Sequence, residues 1–191
     1  MTQKKLVLPY YLNNCSAFAD ILKQTEQLNG GQLIAAAGFG SSGPLLKANI
    51  TNELQMITIN CKVPLAMSYF FGERFAKQKR GGITLFSSLL DFHGAPNSAN
   101  YAATKGYIQC PGEGLYVELK SHNINVLISA PGSVANGFAE VANMQMNLAA
   151  QPKEVARVTV NALSNNFMKL LQVKLKLQKF FSADRSKVNK V

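Results

Sequence analysis

Apolar positions fall along this chain in two alternating patterns: short continuous runs, and longer stretches with a period near 3.6. Residues 6–12, Leu-Val-Leu-Pro-Tyr-Tyr-Leu, are a run of strand length. Residues 16–28 are periodic in the helical sense and stop at Asn29-Gly30-Gly31, where glycine supplies the left-handed backbone that ends helices. Residues 32–37 read as a buried strand entering a loop at 38–44. A long helical pattern runs from about 52 to 79 and stops at Gly81-Gly82. A strand at 83–86 follows, then a loop across 91–99. Residues 101–119 are helical, 124–129 form a strand broken by Pro131-Gly132, and Pro152 opens a last helix through 163. Repeated β-then-α units with all-apolar strands predict an α/β fold: a parallel sheet with helices on both faces. Neither an internal repeat nor a linker interrupts the pattern, so one domain is expected.

Composition narrows the class. With 191 residues, 47% hydrophobic and 16% charged, the chain suits a globular domain with a core. No apolar stretch reaches the ~18–20 residues that span a bilayer. The first residues lack the apolar length and small-residue cleavage site of a secretory signal. Cys15, Cys61 and Cys110 lie far apart and, with only His93 and His122, offer neither a zinc site nor an even disulfide set. No metal is expected, and a reducing cytoplasm is the plain reading.

The formal charge of +10 is unevenly placed. Residues 166–191 hold seven basic side chains against Asp184 alone, a local charge of +6, and the other 165 residues carry only +4. Nucleic-acid binding by the domain is therefore not expected. The sequence divides into a domain at 1–165 and a basic tail at 166–191. The tail mixes Phe167, Leu170, Leu171, Leu175, Phe180 and Phe181 with lysines. It reads as a terminal helix or as a basic amphipathic segment for an anionic membrane surface, although alternation across 173–177 weakens any single helical face.

The strongest chemical signal is Tyr101-Ala102-Ala103-Thr104-Lys105. Four residues apart on a helix, the phenol and the ammonium share a face. A free tyrosine has a pKa of about 10, and a neighbouring cation favours its phenolate. Tyr and Lys at this spacing are common on helices, so the pair gains meaning from its company. Ser87-Ser88 closes the strand at 83–86, thirteen residues before Tyr101. Asn60 sits in the long helix, and Ala130-Pro131-Gly132 follows the next strand.

In that order, these residues resemble the short-chain dehydrogenase/reductase family across roughly residues 5–163. The resemblance implies a Rossmann-like fold and an NAD- or NADP-dependent oxidoreductase that interconverts a small-molecule carbonyl and alcohol. It implies Tyr101 as acid and base, Lys105 lowering the tyrosine pKa and holding the nicotinamide ribose, and Ser88 bonding the substrate oxygen. Asn60 would hold a relay water. Ala36 and Gly38 would lie on a cofactor-side loop, and the backbone from Pro131 and Gly132 to Val134 would face the nicotinamide amide. Leu89, Leu90, Phe92, Phe138, Met144 and Met146 are candidate pocket walls, and a homo-oligomer is an allowed assembly.

Several positions depart from the family pattern. Gly38-Phe39-Gly40-Ser41-Ser42-Gly43 fits G-x-G-x-x-G, but Pro44 intervenes before any helix and residues 58–66 hold no carboxylate. In the family frame it matches the Asn-Asn-Ala-Gly loop, with Ala35 and Ala36 in place of the asparagines. The family's Gly-rich turn has no counterpart, and Met1 falls just before the third strand of the pattern, so the resemblance implies an N-terminally truncated Rossmann domain. The strand at 32–37 would then be an apolar, unpaired edge. Cys110-Pro111-Gly112 is expected to interrupt the Tyr101 helix, since an interior proline costs ~3 kcal/mol. Asn136 stands where the family has a threonine. The rival reading is a non-catalytic remnant with poor cofactor affinity, serving as a partner- or membrane-surface-binding piece.

Overall fold

A computed structural model of the chain describes residues 7–13, 15–92, 94–142, 149–164 and 171–172. Four strands form one parallel sheet: β1 (Gln32–Ala35), β2 (Gly81–Phe86), β3 (Ile124–Ala130) and β4 (Leu171–Gln172), in spatial order β1-β2-β3-β4. Leu33 pairs with Ile83, and Ile83 with Val126, as the apolar runs predict for adjacent parallel strands. The helices are α1 (Cys15–Gln24), α2 (Ile50–Ile57), α3 (Val63–Gln78), α4 (Ala99–Leu119), α5 (Phe138–Ala142) and α6 (Pro152–Ser164).

Alternation along β3 sorts its side chains between two helical layers. Ile124 and Val126 join Phe75 of α3 and Ile108 of α4, together with Ile83 and Leu85, in the main core. Leu127 points the other way, against Val158, Ala162 and Leu163 of α6. On that second face Ser129 and Thr159 share a buried hydroxyl–hydroxyl hydrogen bond of 3.1 Å.

Three expectations need correction. The run at 6–12 forms no strand over the described residues 7–13. Pro9 lacks an N–H, and the backbone bond there is local, Tyr10 N–H to the Leu8 carbonyl at 3.0 Å. Pro111 does not interrupt α4, which passes through it unbroken. Packing explains this: at Gly112 a Cβ would stand 2.7 Å from Ile128, so the helix lies directly on β3 there. The periodic segment ending at 28 stops earlier, at Gln24, where the Thr25 hydroxyl bonds back to the Ile21 carbonyl (2.7 Å) and Arg74 of α3 donates to the Thr25 carbonyl (2.9 Å).

The sheet also reaches past residue 165. β4 pairs with Ser129 and Ala130, within the segment expected to be a separate tail. The other tail residues, and Met144 and Met146, lie outside the described residues. Among the described residues no helix is long and apolar enough to cross a membrane, and no cluster of His, Cys, Asp and Glu could hold a metal ion. Among the described residues β1 is an edge strand, as expected from the sequence, with Ile34 54% exposed.

Candidate active site

The site forms where the C-terminal end of β2 meets the first turns of α4. Tyr101 and Lys105 lie on the buried side of α4, 7% and 8% exposed. Lys105 Nζ donates to the Phe86 carbonyl at 2.9 Å and stands 5.8 Å from the Tyr101 ring centroid. The next residue ties the same elements from the other direction: the Ser87 hydroxyl donates to the Lys105 carbonyl at 2.9 Å. Burying a lysine is costly unless its charge is hydrogen-bonded, and the strand-end carbonyl supplies such a partner.

Ser88 is also buried, on the turn after β2, where its Oγ accepts from Leu90 N–H at 3.3 Å. The loop after β3 closes onto this turn: Leu89 N–H donates to the Pro131 carbonyl at 3.2 Å. A Cβ on Gly132 would meet Leu89 at 3.3 Å. Val134 pairs with Ala150 in an isolated parallel bridge, and Ala135 N–H reaches the Ala150 carbonyl at 2.8 Å. The Asn136 side chain accepts from Phe138 N–H at 3.1 Å and so starts α5.

Asn60 is 2% exposed and sits on a π-helical turn, Thr58–Lys62, inserted between α2 and α3. Single π-turns inside α-helices concentrate at functional sites, because the extra residue re-aims one side chain. Here the Asn60 amide brackets one residue of the loop after β1. Its Oδ1 accepts from Phe39 N–H (3.1 Å), and its Nδ2 donates to the Phe39 carbonyl (2.8 Å). Nδ2 also donates to the Thr104 hydroxyl (3.0 Å), which in turn donates to the Tyr101 carbonyl (2.8 Å). Asn60 therefore locks the loop onto α4 beside Tyr101. A Cβ at Gly38 would fall 3.0 Å from Asn60 Oδ1 and 3.7 Å from Lys105 Nζ, so the loop passes the pair closely at a residue without a side chain.

Ser88, Asn60, Tyr101, Lys105 and Gly38 thus gather at one end of the sheet, with Pro131, Gly132 and Val134 on the neighbouring loop. Ala36 is exposed on the loop after β1. Residues 38–43 end at Pro44 and a short 3-10 turn, Leu45–Lys47, and open no α-helix directly. Sequence reasoning did not single out Thr104 as a link. Its position beside Lys105, facing the long helix, was the available signal. The Phe138 ring packs against Tyr101 at a tilt of 51°, with centroids 5.4 Å apart. Cys61, next to Asn60, is buried with its thiol toward the Thr104 carbonyl. Burial pushes that thiol above its ordinary range, and Lys105 opposes the shift.

The family sequence profile described as "short chain dehydrogenase" matches residues 13–148. The chain belongs to the short-chain dehydrogenase family. Similar family members include a 7beta-hydroxysteroid dehydrogenase of Clostridium sardiniense, 26% identical over 127 residues, which are 66% of this chain and 49% of that one. An uncharacterised oxidoreductase of Staphylococcus aureus strain USA300 is 24% identical over 163 residues, 83% of this chain and 69% of its own. The chain thus spans about half the length of the first relative. Among solved structures, a short-chain dehydrogenase from Sphingobium yanoikuyae in complex with NADPH superposes with a TM-score of 0.81. It is 18% identical and covers 95% of this chain and 74% of its own. A 4-hydroxyisoleucine dehydrogenase complexed with NADH gives a TM-score of 0.73 at 21% identity, covering 85% of this chain and 74% of its own. These likenesses agree with the Rossmann-like parallel sheet.

Proposed function

We propose that this chain carries the chemical centre of an NAD(P)-dependent oxidoreductase that interconverts a small-molecule carbonyl and an alcohol. The observation that carries this reading is the Tyr101/Lys105 face of α4, held against the end of β2 by the Lys105–Phe86 bond. In carbonyl reduction Tyr101 donates its phenolic proton to the developing alkoxide, and in alcohol oxidation the phenolate takes it back. The Lys105 ammonium beside the ring stabilises the phenolate, and Ser88 bonds the substrate oxygen. Asn60 Oδ1 uses one lone pair on Phe39 N–H, and its second can accept from a relay water.

A nicotinamide dinucleotide supplies the hydride, which no side chain can. The residues here fit its nicotinamide-ribose end. Lys105 offers an ammonium, and the bare backbone at Gly38 leaves the space that a Cβ would fill. Val134 and its neighbours present backbone on the facing loop. Similar solved structures hold NADPH in one case and NADH in another, which supports either dinucleotide. Exposed Ile50, Leu54, Leu65 and Tyr69 along α2 and α3 support self-association.

The test is deuterium transfer. With millimolar NADH or NADPH deuterated at the reactive nicotinamide carbon and a panel of ketones, the label should appear on the alcohol carbon of a product. Dinucleotide oxidation without labelled alcohol, or no turnover across the panel at saturating dinucleotide, would reject the reading.

A further inference from the structure

The start of α4, two residues before Tyr101, borders a second feature that the chemistry above does not use. Residues 41–49, the first turn of α2 and the first turn of α4 enclose a cavity of about 480 Å³. Polar and apolar surface line it in similar measure, and the polar side chains include Ser41, Ser42, Asn52 and Asn100. Glu53 lies at its base, 5% exposed, and Lys47 lies at its exposed mouth.

Glu53 is the unusual member. Its Oε2 accepts from Asn100 Nδ2 at 2.7 Å, and the same amide donates to the Glu53 carbonyl at 3.1 Å. Among the described residues no ion pair reaches the carboxylate, and its side-chain partner is Asn100. A carboxylate this buried normally pairs with a cation, because a neutral amide satisfies one oxygen without balancing the charge. Helix capping does not account for it fully. The N-terminus of α2 is already capped by Asn49, whose side chain accepts from Thr51 and Asn52 N–H. The first turn of α4 contributes only partial positive charge.

We propose that this cavity is a binding site for a small ligand bearing an ammonium group, with the Glu53 carboxylate as its anchor. The donor and acceptor set selects that class. An anion meets the buried carboxylate. A divalent cation takes six or more oxygen ligands and is usually held with more than one charge, whereas among the described residues Glu53 is the one carboxylate in the walls. An ammonium on a hydroxylated carbon frame matches Glu53 at the base and the hydroxyl and amide oxygens of the walls.

The experiment is an amide chemical-shift titration of the full chain with ethanolamine, and with ethylene glycol as its uncharged counterpart, at matched ionic strength. Saturable shifts around Glu53 and Asn100 with ethanolamine, at least tenfold weaker with the glycol, are expected. Glu53→Gln should weaken ethanolamine binding at least tenfold. Asn52→Leu, an exposed wall position that leaves Glu53 in place, should weaken it at least fivefold and serves if the first variant does not fold. Equal response to both compounds overturns the proposal. So does no saturable shift in the folded parent, or ethanolamine binding unchanged in a folded variant; Glu53 would then serve only to fasten α2 to α4.

Discussion

Asn60 carries more of the site's geometry than its single polar letter suggests. Its amide makes three hydrogen bonds, one buried and two partly buried, that join the loop after β1 to α4. Asn60→Asp keeps the shape but replaces Nδ2 with an oxygen facing the Phe39 carbonyl and the Thr104 hydroxyl. That substitution should destabilise the fold by about 1–3 kcal/mol, measured by denaturant unfolding, since buried groups lose their partners. A stability within 0.5 kcal/mol or so of the parent would contradict the bracket. Its neighbour Cys61 gives a pH dependence. Burial raises the thiol pKa, so the folded state holds the proton where the unfolded chain releases it. Its contribution is fully present below the unfolded thiol pKa and falls away as pH rises through that value toward the folded one. Cys61→Ser should flatten this alkaline loss, and an unchanged slope would count against it. The sequence placed Asn60 on the correct helix. The π-turn that aims it leaves no mark in hydrophobic periodicity.

At the scale of elements, α4 offers a sharp contrast between two glycines. A Cβ at Gly112 would stand 2.7 Å from Ile128, whereas at Gly114 it meets only the flexible Glu118 side chain at 3.8 Å. Gly112→Val should therefore destabilise by about 1–3 kcal/mol through overpacking. Gly114→Ala should stabilise by roughly 0.5–1 kcal/mol through helix propensity. Thermal or denaturant unfolding of both variants reads the difference, and matching effects would contradict the helix-on-strand contact. The order of parallel strands was legible in the sequence because β2 and β3 are buried on both faces and read as apolar runs. Residues 6–12 carried the same kind of run. A run alone, however, does not say whether a neighbouring strand exists to pair with it. The expected break at Pro111 failed for a related reason: propensity weighs one helix in isolation, and packing on β3 outweighs it. The placing of Tyr101, Lys105 and Ser88 at one end of the sheet was legible because they sit at the ends of well-patterned elements.

For the whole molecule, dinucleotide affinity depends on how much of the ligand the described fold can touch. In the proposed reading Lys105, Gly38 and the Val134 backbone meet the nicotinamide end, and among the described residues no loop matches a Gly-rich pyrophosphate turn opening a helix. A few hydrogen bonds of ~0.5–1.5 kcal/mol each, set against association costs, predict millimolar affinity for NADH and NADPH. Calorimetry reporting low-micromolar binding would show that other parts of the chain or a second subunit complete the site. The exposed side chains along α2 and α3 lead to a separate expectation. Light scattering should find an oligomer that Leu54→Asp with Tyr69→Asp converts to monomer, and a monomeric parent would contradict it. The most direct test of the central claim is turnover by Tyr101→Phe at millimolar dinucleotide, with the fold checked by circular dichroism. Loss of the acid–base hydroxyl should lower carbonyl reduction by about 10²–10⁴-fold in a protein that stays folded. Activity within a few-fold of the parent would mean that Tyr101 does not handle the proton.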